Sequence, residues 1–217
     1  MTSTASLRIN EIFFSLQGET RTVGLPTVFV RLTGCPLRCV YCDTEYAFHK
    51  GEMMSLEDII AKVESYGAHY VTVSGGEPLA QPNCLPLLTQ LCDKGLEVSL
   101  ETSGAMDIEA VDNRVVTVMD LKTPSSQECD KNLESNIAHL KLHDQVKFVI
   151  GDRKDYEWSK AKCDQYYLGA RVSEVLFSPV FETLSYKELA QWILDDRLNV
   201  RMQVQLHKHI WGDKPGH

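Results

Sequence analysis

The chain has 217 residues, 43% hydrophobic and 24% charged, which suits one domain with a sizeable apolar core. A formal charge of −8 and a pI near 5.4 argue against broad nucleic-acid binding, because phosphates are neutralised by a basic surface, and a small-molecule substrate is expected. No apolar run reaches the length of about 18 residues that marks a membrane span, and residues 1–6 lack the basic flank and apolar stretch of a secretory leader, so a cytoplasmic protein with no membrane partner is expected.

Ile12-Phe13-Phe14 runs into a polar, glycine-containing turn at Ser15-Leu16-Gln17-Gly18-Glu19. Residues 28–32 predict a buried strand that stops at Thr33-Gly34, and Arg31 within it is a charge in an apolar run that requires a partner. Ser55 caps a helix whose apolar face is Leu56, Ile59, Ile60 and Val63 and which Gly67 ends. The strand at 70–73 leads into Ser74-Gly75-Gly76-Glu77-Pro78. A helix over 85–94, closed by Gly95, precedes a strand over 97–100 and then Glu101-Thr102-Ser103-Gly104. The strand at 115–119 leads to Asp120-Leu121-Lys122. A helix over 131–142, a strand over 146–150 and a polar helix over 152–166 follow. The strand at 175–177 runs into Ser178-Pro179-Val180, and 184–196 is amphipathic. Residues 200–206 alternate apolar and polar as a strand does, then meet His207-Lys208.

Strands alternating with helices predict an α/β fold with a mainly parallel sheet, whose site lies on the loops at the carboxyl ends of the strands. Those loops hold the cysteines, residues 75–78, 101–104, 120–122 and 178–179.

Cys35, Cys39 and Cys42 follow a C-x3-C-x2-C spacing that lets one loop turn three sulfurs onto one centre. Thiolates suit zinc or iron-sulfur clusters. No fourth cysteine is close in sequence. Either a four-iron cubane keeps one iron open for a small molecule, or His49, Asp43 or a distant cysteine completes a zinc site. The chain has seven cysteines, an odd number that speaks against a disulfide framework, and Cys84, Cys92, Cys129 and Cys163 read as core or surface thiols. Gly75-Gly76 lets backbone groups approach a ligand, and Glu77 adds an acceptor for a cation; alone, Gly-Gly before proline is only a turn.

The cysteine spacing, followed about thirty residues later by a strand that ends in Gly75-Gly76-Glu77-Pro78, resembles the radical S-adenosylmethionine (SAM) superfamily. Ser15-Leu16-Gln17-Gly18-Glu19, residues 29–35, Cys42-Asp43-Thr44, Glu101-Thr102-Ser103-Gly104 and Gln205-Leu206-His207-Lys208 are similar to the 7-carboxy-7-deazaguanine synthase family. This resemblance implies a single radical SAM core over residues 1–217, built as an incomplete TIM-like barrel of about six mainly parallel strands with shortened helices. It implies a [4Fe-4S] cluster, S-adenosyl-L-methionine and Mg2+. The implied reaction converts 6-carboxy-5,6,7,8-tetrahydropterin to 7-carboxy-7-deazaguanine with loss of ammonia, on the way to queuosine in tRNA. An electron donor such as flavodoxin or ferredoxin and a homodimer are implied as well.

Position by position, the resemblance implies that Cys35, Cys39 and Cys42 hold the cluster. Tyr41, Cys42 and Asp43 would lie at the cofactor, together with Gly75, Gly76, Glu77, Gly104, Asp120, Leu121, Lys122, Ser178, Pro179, Val180 and Phe181. Leu16, Gln17, Gly18, Arg31, Thr102 and His207 would face the substrate, Leu16-Gln17-Gly18 holding the pterin ring edge and Arg31 taking the carboxylate, and Thr44 would contact Mg2+. Here Asp120-Leu121-Lys122 and Ser178-Pro179 stand where many relatives carry Ser-Pro-Lys and Gln-Pro. Trp211 to His217 extends beyond the point where some relatives end, so the last residue receives no substrate role. Competing readings are an activase that installs a glycyl radical on a partner enzyme, and a non-catalytic interaction module stabilised by zinc.

Overall fold

The computed structural model describes residues 5–212 and Gly216. Its strands are β1 (Ser6–Leu16), β2 (Pro26–Leu32), β3 (Glu52–Ser55), β4 (Tyr70–Gly75), β5 (Glu97–Thr102), β6 (Val116–Asp120), β7 (Gln145–Ile150), β8 (Glu174–Pro179) and β9 (Arg201–Met202). They form one sheet in the order β3-β1-β2-β4-β5-β6-β7-β8-β9, open because β3 and β9 are its two edges. From β2 to β9 every pairing is parallel, while β1 runs antiparallel to both β2 and β3. This is the incomplete TIM-like barrel, with β1, β3 and the two-residue β9 added to six longer parallel strands.

The helices are α1 (Leu56–Glu64), α2 (Cys84–Asp93), α3 (Arg153–Tyr166), α4 (Leu168–Arg171), α5 (Tyr186–Asp195) and α6 (Leu206–Trp211). Caps set two of the starts: Ser55 Oγ accepts from Asp58 N at 3.0 Å, and Asp152 Oδ1 accepts from Asp155 N at 2.8 Å. One side of the sheet packs on these helices: Val30, Val73, Leu100, Met119, Phe148 and Phe177 share a core with Ile59, Leu88, Leu91, Tyr156, Leu189 and Ile193. Cys84 and Cys92 are buried in that core, as their spacing on α2 predicts.

The opposite, concave side is polar. Arg31 alternates with Val30 and Leu32, Ser74 follows Val73, Glu101 follows Leu100, Asp120 follows Met119, and Lys147 lies between Val146 and Phe148. Side chains on a strand alternate faces, so one register sends apolar residues to the helices and charged ones into the hollow of the half-barrel.

Two expected elements differ. Residues 131–142 do not form an α-helix but 3-10 turns at Cys129–Lys131 and Glu134–His139. Asn136, fully buried, donates from Nδ2 to Gly104 O and Met106 O and accepts from Ile108 N, while Asn132 brackets the Lys122 backbone; these bonds pin the segment and compete with a continuous helix. Residues 200–206 give only the short β9, because the Gln203 amide turns away to donate to Glu19 O and Thr20 O, and Leu206 N donates to Gly18 O at the start of α6. His207 therefore sits on a helix, not at a strand end.

The loop between β1 and β2 crosses the amino-terminal end of the parallel strands. Arg21 N donates to Gln145 Oε1 at 2.9 Å at the start of β7, and the Gln203 contacts carry the loop on to the segment after β9. It floors the hollow that strand pairing leaves open.

Candidate functional site

A cavity of about 560 Å3 occupies the hollow, and strand ends and interior side chains from β2 and β4 to β8 line it, with the floor loop and α6. Of the residues to which the family resemblance assigns a role, only Glu77, Gly104 and Leu121 do not line it.

The cysteine loop begins where β2 stops. The Cys35, Cys39 and Cys42 thiols are free, partly exposed and on the cavity wall. Burial raises the pKa of all three, with Lys122 opposing. A Cβ on Gly76 would collide with Gly34 O and come within 2.7 Å of Cys35 Cβ, so glycine lets the end of β4 lie against the cysteine loop. Glu77 has no exposed surface; its carboxylate accepts from Leu79 N at 3.0 Å, Thr102 Oγ1 at 3.0 Å and Ser103 N at 2.7 Å. It is thus not a free acceptor for a cation, but ties the end of β4 to the end of β5.

Farther round the rim, Lys122 Nζ donates to Asp120 Oδ2 at 3.0 Å, and although burial opposes the charge, Asp120 keeps the Lys122 pKa above the ordinary lysine value. Asp120 Oδ1 is buried without a hydrogen-bond partner among the described residues. The Tyr41 hydroxyl stands 3.3 Å from Thr123 Oγ1, and burial pushes its pKa up to about 12. Leu121 is buried and turned away, its N–H donating to Lys147 O. Ser178, Pro179, Val180 and Phe181 line the wall beyond β8, with Lys208 Nζ 4.8 Å from the Phe181 ring centroid.

A belt of charge joins the cysteine loop to the floor. Asp43 Oδ2 accepts from Gln205 Nε2 at 2.8 Å and Lys208 Nζ at 3.1 Å, and Oδ1 accepts from Thr44 Oγ1 at 2.9 Å. Burial pushes the Asp43 carboxyl up, yet Lys208 and these hydrogen bonds outweigh it and hold it well below the usual range. Gln205 Nε2 also donates to Glu19 Oε1 at 3.1 Å, and Glu19 is ion-paired with Lys147. Burial lowers the His207 pKa and favours the neutral ring, and a Cβ on Gly18 would collide with that ring.

Arg31 Nε donates to Glu11 Oε1 at 2.8 Å, and Tyr46 OH donates to the same oxygen at 2.9 Å. The predicted partner of the strand arginine is thus within the chain, yet only Nε is taken, and the two Nη groups make no hydrogen bond among the described residues. Gln17 is 1% exposed and committed internally: Oε1 accepts from Glu19 N at 3.0 Å, and Nε2 donates to Thr72 Oγ1 at 3.1 Å and Glu101 Oε1 at 3.4 Å. Glu19, Glu101, Lys147 and Gln205 received no role from the sequence. Lys147 carried the same signal as Arg31, a charge inside an apolar strand; Glu101 is marked only by its alternation with Leu100 and Thr102.

The residues present fit an iron-sulfur cluster and its cofactor. Among the described residues, the one His/Cys/Asp/Glu set whose ligand atoms all lie within 4.8 Å of one another is Asp107, Glu109 and His139, outside the cavity. The three cysteine sulfurs are therefore not gathered as a ZnS4 tetrahedron requires, whose edges are roughly 3.8 Å for a Zn–S bond near 2.3 Å. The orphaned Asp120 Oδ1 leaves an unused polar acceptor on a residue that lines the same cavity as those sulfurs.

Three cysteines on the first parallel strand's loop, backed by a glycine strand end, define a radical SAM enzyme, and the Radical SAM superfamily model matches residues 29–119. The chain is 42% identical to the 7-carboxy-7-deazaguanine synthase of Chlorobaculum tepidum across 97% of each protein, and 41% identical to that of Koribacter versatilis across 94% of this chain and 97% of that protein. The chain belongs to the 7-carboxy-7-deazaguanine synthase family. Its fold matches the crystal structure of QueE from Escherichia coli with a TM-score of 0.78, at 24% identity over 93% of this chain and 95% of that one. Membership of the radical SAM superfamily implies a [4Fe-4S] cluster and SAM.

Proposed function

We propose that this enzyme converts 6-carboxy-5,6,7,8-tetrahydropterin to 7-carboxy-7-deazaguanine with loss of ammonia, in the queuosine pathway. The observation that carries the reading is identity above 40% to two synthases of that name over nearly the whole of each chain. Cys35, Cys39 and Cys42 would hold the cluster, and Gly75, Gly76, Asp120, Lys122 and the wall from Ser178 to Phe181 would hold SAM, with Gly104 and Leu121 shaping that wall from behind. Cluster and SAM together supply a radical that abstracts hydrogen from a substrate.

The remaining chemistry belongs to side chains. Arg31, steadied by Glu11, presents its Nη fork to the substrate carboxylate. Thr102 on the β5 end and His207, neutral on α6, complete the walls, and the floor loop with α6 limits water access. Burial and the neighbouring Glu19 raise the Glu101 pKa, whereas Lys147 outweighs burial to lower that of Glu19, so the cavity holds two carboxyl groups of unequal acidity. Thr44 beside Asp43 offers hard oxygen atoms to Mg2+. A cytoplasmic homodimer reduced by a flavodoxin or ferredoxin completes the proposal.

The test is product identification by mass spectrometry after anoxic incubation of reconstituted, reduced enzyme with SAM and the pterin. A deazaguanine carboxylate with stoichiometric ammonia is expected; SAM cleavage without that product would overturn the assignment in favour of another radical SAM reaction.

A further inference from the structure

Four carboxylates line the cavity, and three have a cation: Glu19 has Lys147, Asp43 has Lys208 and Asp120 has Lys122. The fourth, Glu101, forms no ion pair among the described residues and accepts only two neutral donors, Gln17 Nε2 at 3.4 Å and Ser74 Oγ at 3.2 Å. A carboxylate offers about four lone-pair sites, so acceptor capacity is left over on the cavity wall. The Gln17 amide cannot turn to relieve this, because its Oε1 must face the Glu19 N–H, which fixes Nε2 toward Glu101.

Register places this carboxylate against Arg31. Arg31 pairs with Ser74 across β2 and β4, and Val73 pairs with Leu100 across β4 and β5, so the next step sets Glu101 beside Ser74. Arg31, Ser74 and Glu101 therefore form one row on the concave face, with the two ends separated by two strand spacings, roughly 10 Å. A carboxylated pterin has matching ends: an anionic carboxylate at one, and at the other an aminopyrimidinone edge whose ring N–H and exocyclic NH2 point the same way.

We propose that Glu101 is a specificity-determining residue that takes the aminopyrimidinone edge through two parallel N–H to oxygen bonds, while Arg31 takes the carboxylate, so the pterin lies across β4. This rests on the proposed function and adds to it the polarity of the bound substrate. It also transfers the reading of the ring edge from Gln17, whose side chain is spent on orienting Glu101, to Glu101 itself.

The experiment measures binding of 6-carboxy-5,6,7,8-tetrahydropterin and of its analogue lacking the 2-amino group to anoxic, reconstituted enzyme with SAM, for wild type, Glu101→Gln and Glu101→Ala. Wild type is expected to prefer the amino-bearing pterin by about 10- to 100-fold, since the analogue leaves a charged acceptor unpaired. Both variants are expected to lose that preference. Equal affinity of wild type for the two pterins overturns the proposal without any variant, and so does a preference that survives in a folded Glu101→Ala; in either case product formation by wild type leaves the synthase reading standing. A wild type that binds neither pterin and forms no product removes that reading, and this contact with it.

Discussion

At the scale of single residues, the carboxylates of the cavity other than Glu101 are each ion-paired, so the cost of deleting one partner is set by what remains. Lys147→Met leaves Glu19 buried and unpaired, and a loss of about 3–5 kcal/mol in chemical denaturation is expected. The Glu19 pKa is lowered in the folded chain, so its contribution is present above the usual glutamate range and is lost as pH falls through the folded value; Glu19→Gln should flatten the acid side of the stability curve. Arg31→Ala should raise the pterin KM more than it slows pterin-independent SAM cleavage, and an unchanged KM would return Arg31 to holding Glu11 and Tyr46. Cys39→Ala should abolish the cluster's visible absorption while circular dichroism keeps the native form, because Cys39 lies on the cavity wall and outside the apolar core.

At the scale of elements, the parallel strands β2 and β4 to β8 were legible because their apolar runs are short and end in glycine or polar motifs, and α1, α2 and α5 because their apolar faces recur at helical spacing, whereas the edge strand β3 was not read. The segment between β6 and β7 was not legible: its helical look comes from Leu133, Ile137 and Leu140, and what decides its form is Asn136, whose partners Gly104, Met106 and Ile108 are remote in sequence. Asn136→Ala should cost about 1–3 kcal/mol by leaving those buried groups unsatisfied. Gly76→Ala tests the contact between strand end and cysteine loop. Because backbone stands where the methyl must go, iron bound per chain should fall even in protein that remains folded.

At the scale of the molecule, the alternation of core and cavity residues along β2 to β8 was present in the sequence, and it explains why a parallel sheet, normally apolar on both faces, carries Arg31, Glu101 and Lys147 in its strands. The cysteine spacing and Gly75-Gly76 identified the rim. The floor could not be read, because it depends on the β1–β2 loop meeting Gln145 and Gln203, more than a hundred residues away. The commitment of Glu77 to Thr102 and Ser103 was hidden for the same reason: a motif names residue types and not their directions.

The Gln145 and Gln203 side chains that pin the floor loop are neutral amides bonded to backbone groups. Added salt screens the ionic pairs above them but has little purchase on an uncharged seam. Raising the ionic strength should therefore retune substrate attraction at the rim while the underside of the half-barrel keeps its hydrogen-exchange protection.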